Sequence, residues 1–125
     1  MTGVAYLLAV IFGLVLIAVG IAEAFYFRDP RFHKLFLIRP QDVAAVRLWT
    51  INLGFYNMLW GLVLIAGVFI AAGGRTAIGE TMIVFTCITH VILGAVLWFT
   101  ERRLWQSALA QAILPLIVLL LLFLF

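Results

Sequence analysis

Four long apolar runs divide this chain, and polar residues mark each boundary between them. The first covers roughly Val4–Phe27 and ends at "RDP" (Arg28–Pro30). The second runs from about Trp49 to Ala72 and closes on the Gly73–Gly74 pair. The third, roughly Thr81–Thr100, stops at "ERR" (Glu101–Arg103), and the last covers about Trp105–Phe125. At about 1.5 Å of rise per residue, each run is long enough to cross about 30 Å of hydrocarbon as a helix. No internal repeat, low-complexity linker or second composition interrupts the pattern. The prediction is one transmembrane domain over residues 1–125, with spans at about 4–27, 49–72, 81–100 and 105–125.

Composition supports this reading. The chain has 125 residues, 67% hydrophobic and only 10% charged, against about 45–50% and about 25% in soluble domains. No soluble core of this length could bury so much apolar surface and keep a solvated exterior. The fold class is therefore all-α, an integral membrane four-helix bundle. The first run is read as a retained helix, although "AEA" (Ala22–Ala24) resembles a signal-peptidase site. The leading "MTGV" has no basic residue, and the apolar run exceeds a usual signal core. The single cysteine, Cys87, excludes an internal disulfide or a thiolate-built metal site, and its apolar surroundings predict a buried thiol.

Charge adds an orientation. Arg28, Arg31, Lys34, Arg39 and Arg47 fall between the first two spans, and Arg102 and Arg103 between the last two. Only Arg75 lies in the remaining connection, so seven of the eight basic side chains mark one side. The bias predicts a multi-pass cell (plasma) membrane protein with those two connections cytoplasmic and both termini outside. It also accounts for the net charge of +3 without a nucleic-acid partner. Within "RDPRFHKLFLIRPQD", Asp29 and Pro30 can cap and open a short helix, and Pro40 can open the next. Aromatic and aliphatic residues alternate there with basic ones, as in an interfacial helix near anionic lipid. Arg28, Arg31, Lys34 and Arg39 are its predicted lipid- or anion-facing residues, and membrane lipids are its predicted partners.

A few polar residues remain inside the spans. Asn52, Tyr56 and Asn57 lie in the second, Glu23 near the end of the first, His90 near the middle of the third, and Gln111 in the fourth. By depth, all fall between the cytoplasmic surface and the bilayer middle, whereas the outer half is almost wholly aliphatic, Phe and Gly. Residues four apart share a helix face, which pairs Asn52 with Tyr56 and aligns Thr86–His90–Gly94 and Ser107–Gln111–Pro115. Asn57 lies on a face with Gly54 and Gly61, the makings of an ordinary helix-packing seam. Gly13, Gly20 and Glu23 lie near one face of the first span, where a close helix contact would shield the carboxyl. The expectation is one polar cluster of Glu23, Asn52, Tyr56, Asn57, His90 and Gln111, with Glu23 bonded to Asn52 or Tyr56. Glu23 is its most distinctive member, since an acidic residue within a span is rare and marks function by default. The residue types suggest no catalytic constellation, metal site or cofactor. His33 lies in a connection, so the two histidines cannot clamp a haem between facing helices.

"EAFYF" (Glu23–Phe27), "NLGFYN" (Asn52–Asn57) and the Gln111–Pro115 segment resemble the bacterial four-span family known as domain of unknown function 1304. The resemblance covers nearly the whole chain and implies a four-span bundle of this length with a shared polar cluster. It implies no substrate. Three functions follow from the residues. The first is an accessory or interaction subunit, or a bundle binding a lipid headgroup or quinone-like molecule, in a larger membrane complex or a homo-oligomer. The second is a proton-coupled exporter using Glu23, similar to small multidrug resistance transporters. The third is a lipid-modifying enzyme with Glu23 and His90 as its acid/base pair.

Overall fold

A computed structural model describes residues 2–125. Five helices account for most of them: α1 (Thr2–Phe25), α2 (Pro30–Phe36), α3 (Val43–Ala72), α4 (Thr76–Thr100) and α5 (Trp105–Leu124). Two 3-10 turns, Pro40–Asp42 and Arg102–Leu104, lead into α3 and α5. None of the described residues forms a strand. α1, α3, α4 and α5 are each long and apolar enough to cross a membrane. The protein is an all-α, multi-pass membrane protein, with the short basic helix α2 between its first two spans.

The ends of the helices follow local chemistry. α2 begins where the Asp29 carboxylate accepts a bond from the Arg31 backbone N–H at 3.0 Å, with Pro30 in the first turn. It ends at Leu37, held in the left-handed region at φ 53°. The Ile38 N–H donates to the His33 carbonyl there at 2.8 Å. α3 starts six residues before the apolar run does. Val43–Leu48 contains good helix formers, and apolar patterning locates lipid rather than helix ends. At 30 residues, α3 is about 45 Å long, more than the roughly 30 Å of hydrocarbon in a bilayer. Its C-terminus closes on Gly74, at φ 109°. Gly74 N–H donates to the Ala71 carbonyl and Arg75 N–H to the Ile70 carbonyl, the paired bonds of a Schellman motif. That φ is open to glycine and costly for other residues.

The chain forms two compact units, divided within α1 and α3. One is Leu14–Leu62; the other joins the N-terminal stretch through Gly13 to Val63–Phe125. In the Leu14–Leu62 unit, α1 and α3 meet through Gly20 and Gly54. A Cβ on Gly54 would lie 2.5 Å from the Gly20 carbonyl oxygen and 2.6 Å from the Ala24 nitrogen, so hydrogen is the only side chain that fits. Small residues at such a crossing allow the backbones to approach closely, the main source of helix association where lipid removes the hydrophobic drive.

The other unit uses the same device twice. Gly79 of α4 lies against Gly67 and Ala71 of α3, and Gly94 of α4 against Ala108 and Ala112 of α5. Phe12, Leu64, Ile83, Cys87 and Val118 are fully or almost fully buried. Cys87 is a free thiol, as expected. Pro115 sits inside α5 and is buried too.

Candidate functional site

α3 carries three of the six expected cluster residues, on two different faces. Successive residues of an α-helix are separated by about 100°. Asn57 therefore follows Gly54 and precedes Gly61 along one face, and both glycines are buried. The close Gly20–Gly54 crossing brings α1 near enough for Asn57 Nδ2 to donate to Glu23 Oε1 at 2.5 Å. Both side chains are half-buried. The amide hydrogen satisfies the carboxyl group that would otherwise meet lipid, and the glycine contact gives it cover. This is the shielding expected for Glu23, with a different partner from the two predicted.

Asn52 and Tyr56 are the correction. They were expected inside with Glu23, but both are exposed, Tyr56 at 65% of its possible surface. Asn52 Nδ2 donates to the carbonyl of Leu48 in its own helix at 2.8 Å. The Tyr56 hydroxyl has no protein hydrogen-bond partner among the described residues. Leu48, Phe55 and Leu59 are exposed around them. The physical reason lies in the spacing. Asn52 and Tyr56 are four apart and share a face, but Asn57 is one further residue round the helix. Turning Asn57 inward turns Tyr56 out.

His90 and Gln111 lie on the other two spans. His90 is fully buried on α4, where its Nδ1–H donates to the Thr86 carbonyl at 2.9 Å. The edge of the ring meets Phe12, with centroids 5.5 Å apart and planes at 85°, a favourable aromatic arrangement. Gln111 is half-buried on α5. Within its own unit, Glu23 bonds Asn57 and Asn52 bonds its own helix, while His90 bonds Thr86. The hydroxyls of Thr50, Thr86, Thr89 and Thr100 each return to a carbonyl four residues earlier, a usual way to satisfy threonine within a span.

One pair went unnoticed in the sequence. The Tyr6 hydroxyl donates to Glu80 Oε2 at 2.6 Å, joining the start of α1 to the second turn of α4. The starts of the first and third spans therefore hold a polar pair that the reading by depth did not include. The signal was available. Tyr6 stands near the start of the first span and Glu80 near the start of the third, and spans of alternating direction bring those ends to the same surface.

Outside the spans, three ion pairs tie local turns. Arg31 forks Asp29, Arg39 bonds Asp42 at 2.6 Å, and Arg103 forks Glu101. Hydrogen bonds from Arg31 hold the Asp29 carboxyl below its ordinary range. Those from Arg103, side chain first and backbone second, pull Glu101 down to about 2. Arg102 is free to lie over the Trp98 ring, 4.6 Å from its centroid. No group of three or more His, Cys, Asp or Glu residues suited to a metal ion occurs among the described residues.

The family described as "Protein of unknown function (DUF1304)" matches residues 8–123. No curated protein and no solved structure matches the chain.

Proposed function

The chain belongs to the DUF1304 family across almost its whole length, and from that premise we propose that it is a non-catalytic interaction subunit of the cell membrane. Its docking element is the outer face of α3, and its occupant is a transmembrane helix of a partner protein that presents polar side chains. The observation that carries this reading is the exposure of Asn52 and Tyr56 four residues apart within an apolar helix. A polar side chain facing lipid gains by meeting a partner across a helix interface, by about 1 kcal/mol per bond. Asn52 keeps its amide oxygen as an acceptor beside its own-helix bond, and the Tyr56 hydroxyl can both donate and accept.

The Glu23–Asn57 pair supports the same reading by its position. The carboxyl group that an exporter or a lipid-modifying enzyme would use is engaged beside the Gly20–Gly54 contact, where it serves to hold α1 against α3. The concentration of arginine and lysine between α1 and α3, and between α4 and α5, supports cytoplasmic connections and termini outside.

Purification from the native membrane in mild detergent tests the proposal. The wild-type protein should migrate as a complex larger than one 14.0 kDa chain and contain a second membrane protein in fixed ratio. The Asn52→Leu, Tyr56→Phe double variant should migrate alone. A wild-type protein that runs as a single chain, or a complex indifferent to the double variant, would overturn the proposal. A complex holding only copies of this chain would replace the partner with self-association.

A further inference from the structure

The connection between α1 and α3, together with the first turns of α3, carries five basic side chains, Arg28, Arg31, Lys34, Arg39 and Arg47, and two acidic ones, Asp29 and Asp42. The pattern alone marks Arg28, Arg31, Lys34 and Arg39 as lipid- or anion-facing. Their geometry separates them. Asp29 takes the Nε and Nη2 donors of Arg31 at 2.7–3.1 Å, and Asp42 takes Arg39 Nε at 2.6 Å. Both acids are spent on arginines two or three residues away, Arg31 through its Nε–Nη2 edge and Arg39 through its Nε. Arg28, Lys34 and Arg47 make no ion pair among the described residues, and all three are exposed. Arg28 rests its guanidinium 5.2 Å from the centre of the Phe27 ring.

Apolar surface flanks these three cations along the chain. Phe25 and Tyr26 precede Arg28, Leu35 follows Lys34, and Leu48 and Trp49 follow Arg47, all exposed. Trp49 is 71% exposed, although indole is a costly group to leave in water. Aromatic rings beside basic residues at a span's end are at home in the headgroup layer. Anions available at that depth are phospholipid phosphates.

We propose that this connection is an anionic-phospholipid surface whose contacts are made by Arg28, Lys34 and Arg47, with Arg31 and Arg39 withheld by their own carboxylates. The two ion pairs shape the surface instead. Asp29 caps α2 while holding Arg31, and the Arg39–Asp42 pair spans the turn that opens α3. Removing a paired Arg together with its Asp changes the net charge by nothing, whereas removing an unpaired cation removes a phosphate contact. This inference is independent of the α3 docking face.

Native mass spectrometry of the purified protein with phosphatidylglycerol or phosphatidylcholine of matched chains tests it. The wild-type protein should retain phosphatidylglycerol preferentially. The triple variant R28Q/K34Q/R47Q should lose that preference by roughly a hundredfold, given about 1 kcal/mol per basic side chain near an anionic surface. The charge-neutral variant D29N/R31Q/R39Q/D42N, which keeps an Asn cap on α2, should retain it. The R28K/R47K variant, which keeps every charge, should retain it as well and shows that the fold tolerates change at these positions. A wild-type protein without the preference would overturn the proposal. So would a triple variant that keeps it, or a charge-neutral variant that loses it.

Discussion

The inner and outer faces of α3 use the same kinds of residue to opposite ends. On the inner face, Asn57 sits on the same stripe as the Gly20–Gly54 contact and spends its amide on Glu23. On the outer face, Asn52 spends its amide on its own helix and Tyr56 presents a hydroxyl outward. Both faces carry an asparagine within one turn of a bulky neighbour. The difference is glycine. Where Gly54 admits a second backbone, the amide becomes internal structure. Where Leu48, Phe55 and Leu59 surround it, the helix keeps its neighbours at side-chain distance and the polar groups remain available.

The largest effect should come from closing the inner face. Gly54→Leu would drive a side chain into the Gly20 carbonyl and the Ala24 backbone. An overpacked contact of this kind costs about 2–3 kcal/mol. Unfolding in mixed detergent should show the loss, and Leu59→Ala on the outer face should cost under about 0.5 kcal/mol on the same scale. Equal losses at the two positions would erase the distinction between the faces.

Next in size is the carboxyl–amide pair. Glu23→Leu strands the Asn57 amide and should cost about 1 kcal/mol. Glu23→Gln keeps an acceptor oxygen in place and should cost less than half as much. Equal costs in the same unfolding measurement would mean that the bond contributes nothing beyond side-chain volume.

These inner-face relations show how much the sequence made legible. Four apolar runs and the "RDP" punctuation were enough to recognise the four spans and the short basic helix. The inner face of α3 was legible too, because Gly54, Asn57 and Gly61 follow helical spacing. Depth was a poorer guide than angle. Asn52, Tyr56 and Asn57 lie at similar depth, which suggested one cluster, but only rotation about the helix decides which of them meets α1. The Tyr6–Glu80 pair was lost for a related reason, since each residue stands near a span's end and reads as boundary rather than interior. The pairing of Arg31 with Asp29 and Arg39 with Asp42 depends on turn geometry that charge counting does not contain.

A smaller effect on folding belongs to the outer face. Tyr56→Phe and Asn52→Leu should each alter stability by less than about 0.5 kcal/mol, since neither breaks a contact between helices. Either substitution should nonetheless weaken association with the partner in the detergent-solubilised complex. A large loss of stability from Tyr56→Phe would mean that its hydroxyl serves the fold.

The smallest effect lies outside both faces. Arg103 holds the Glu101 carboxyl at about 2, against an ordinary value of 4.5. A lowered value means the pair's contribution is complete above about pH 4.5 and disappears as pH falls through about 2. A carboxyl-carbon NMR titration should find that midpoint, and Arg103→Gln should return it towards 4.5. Over the same range the Glu101 turn should loosen while α3 keeps both of its faces. An ordinary midpoint in the wild-type protein would show that the fork does not persist in solution.

The central claim is that the outer face of α3 docks another membrane helix, and photo-crosslinking along α3 in the native membrane tests it most directly. A photoreactive amino acid placed at Asn52, Tyr56 or Leu59 should join the protein to one other chain, and the adduct at Tyr56 should disappear when Asn52 is also changed to Leu. The same probe at Asn57 should react only within the chain. Lipid adducts alone at the three outer positions, or protein adducts spread equally over both faces, would contradict the account.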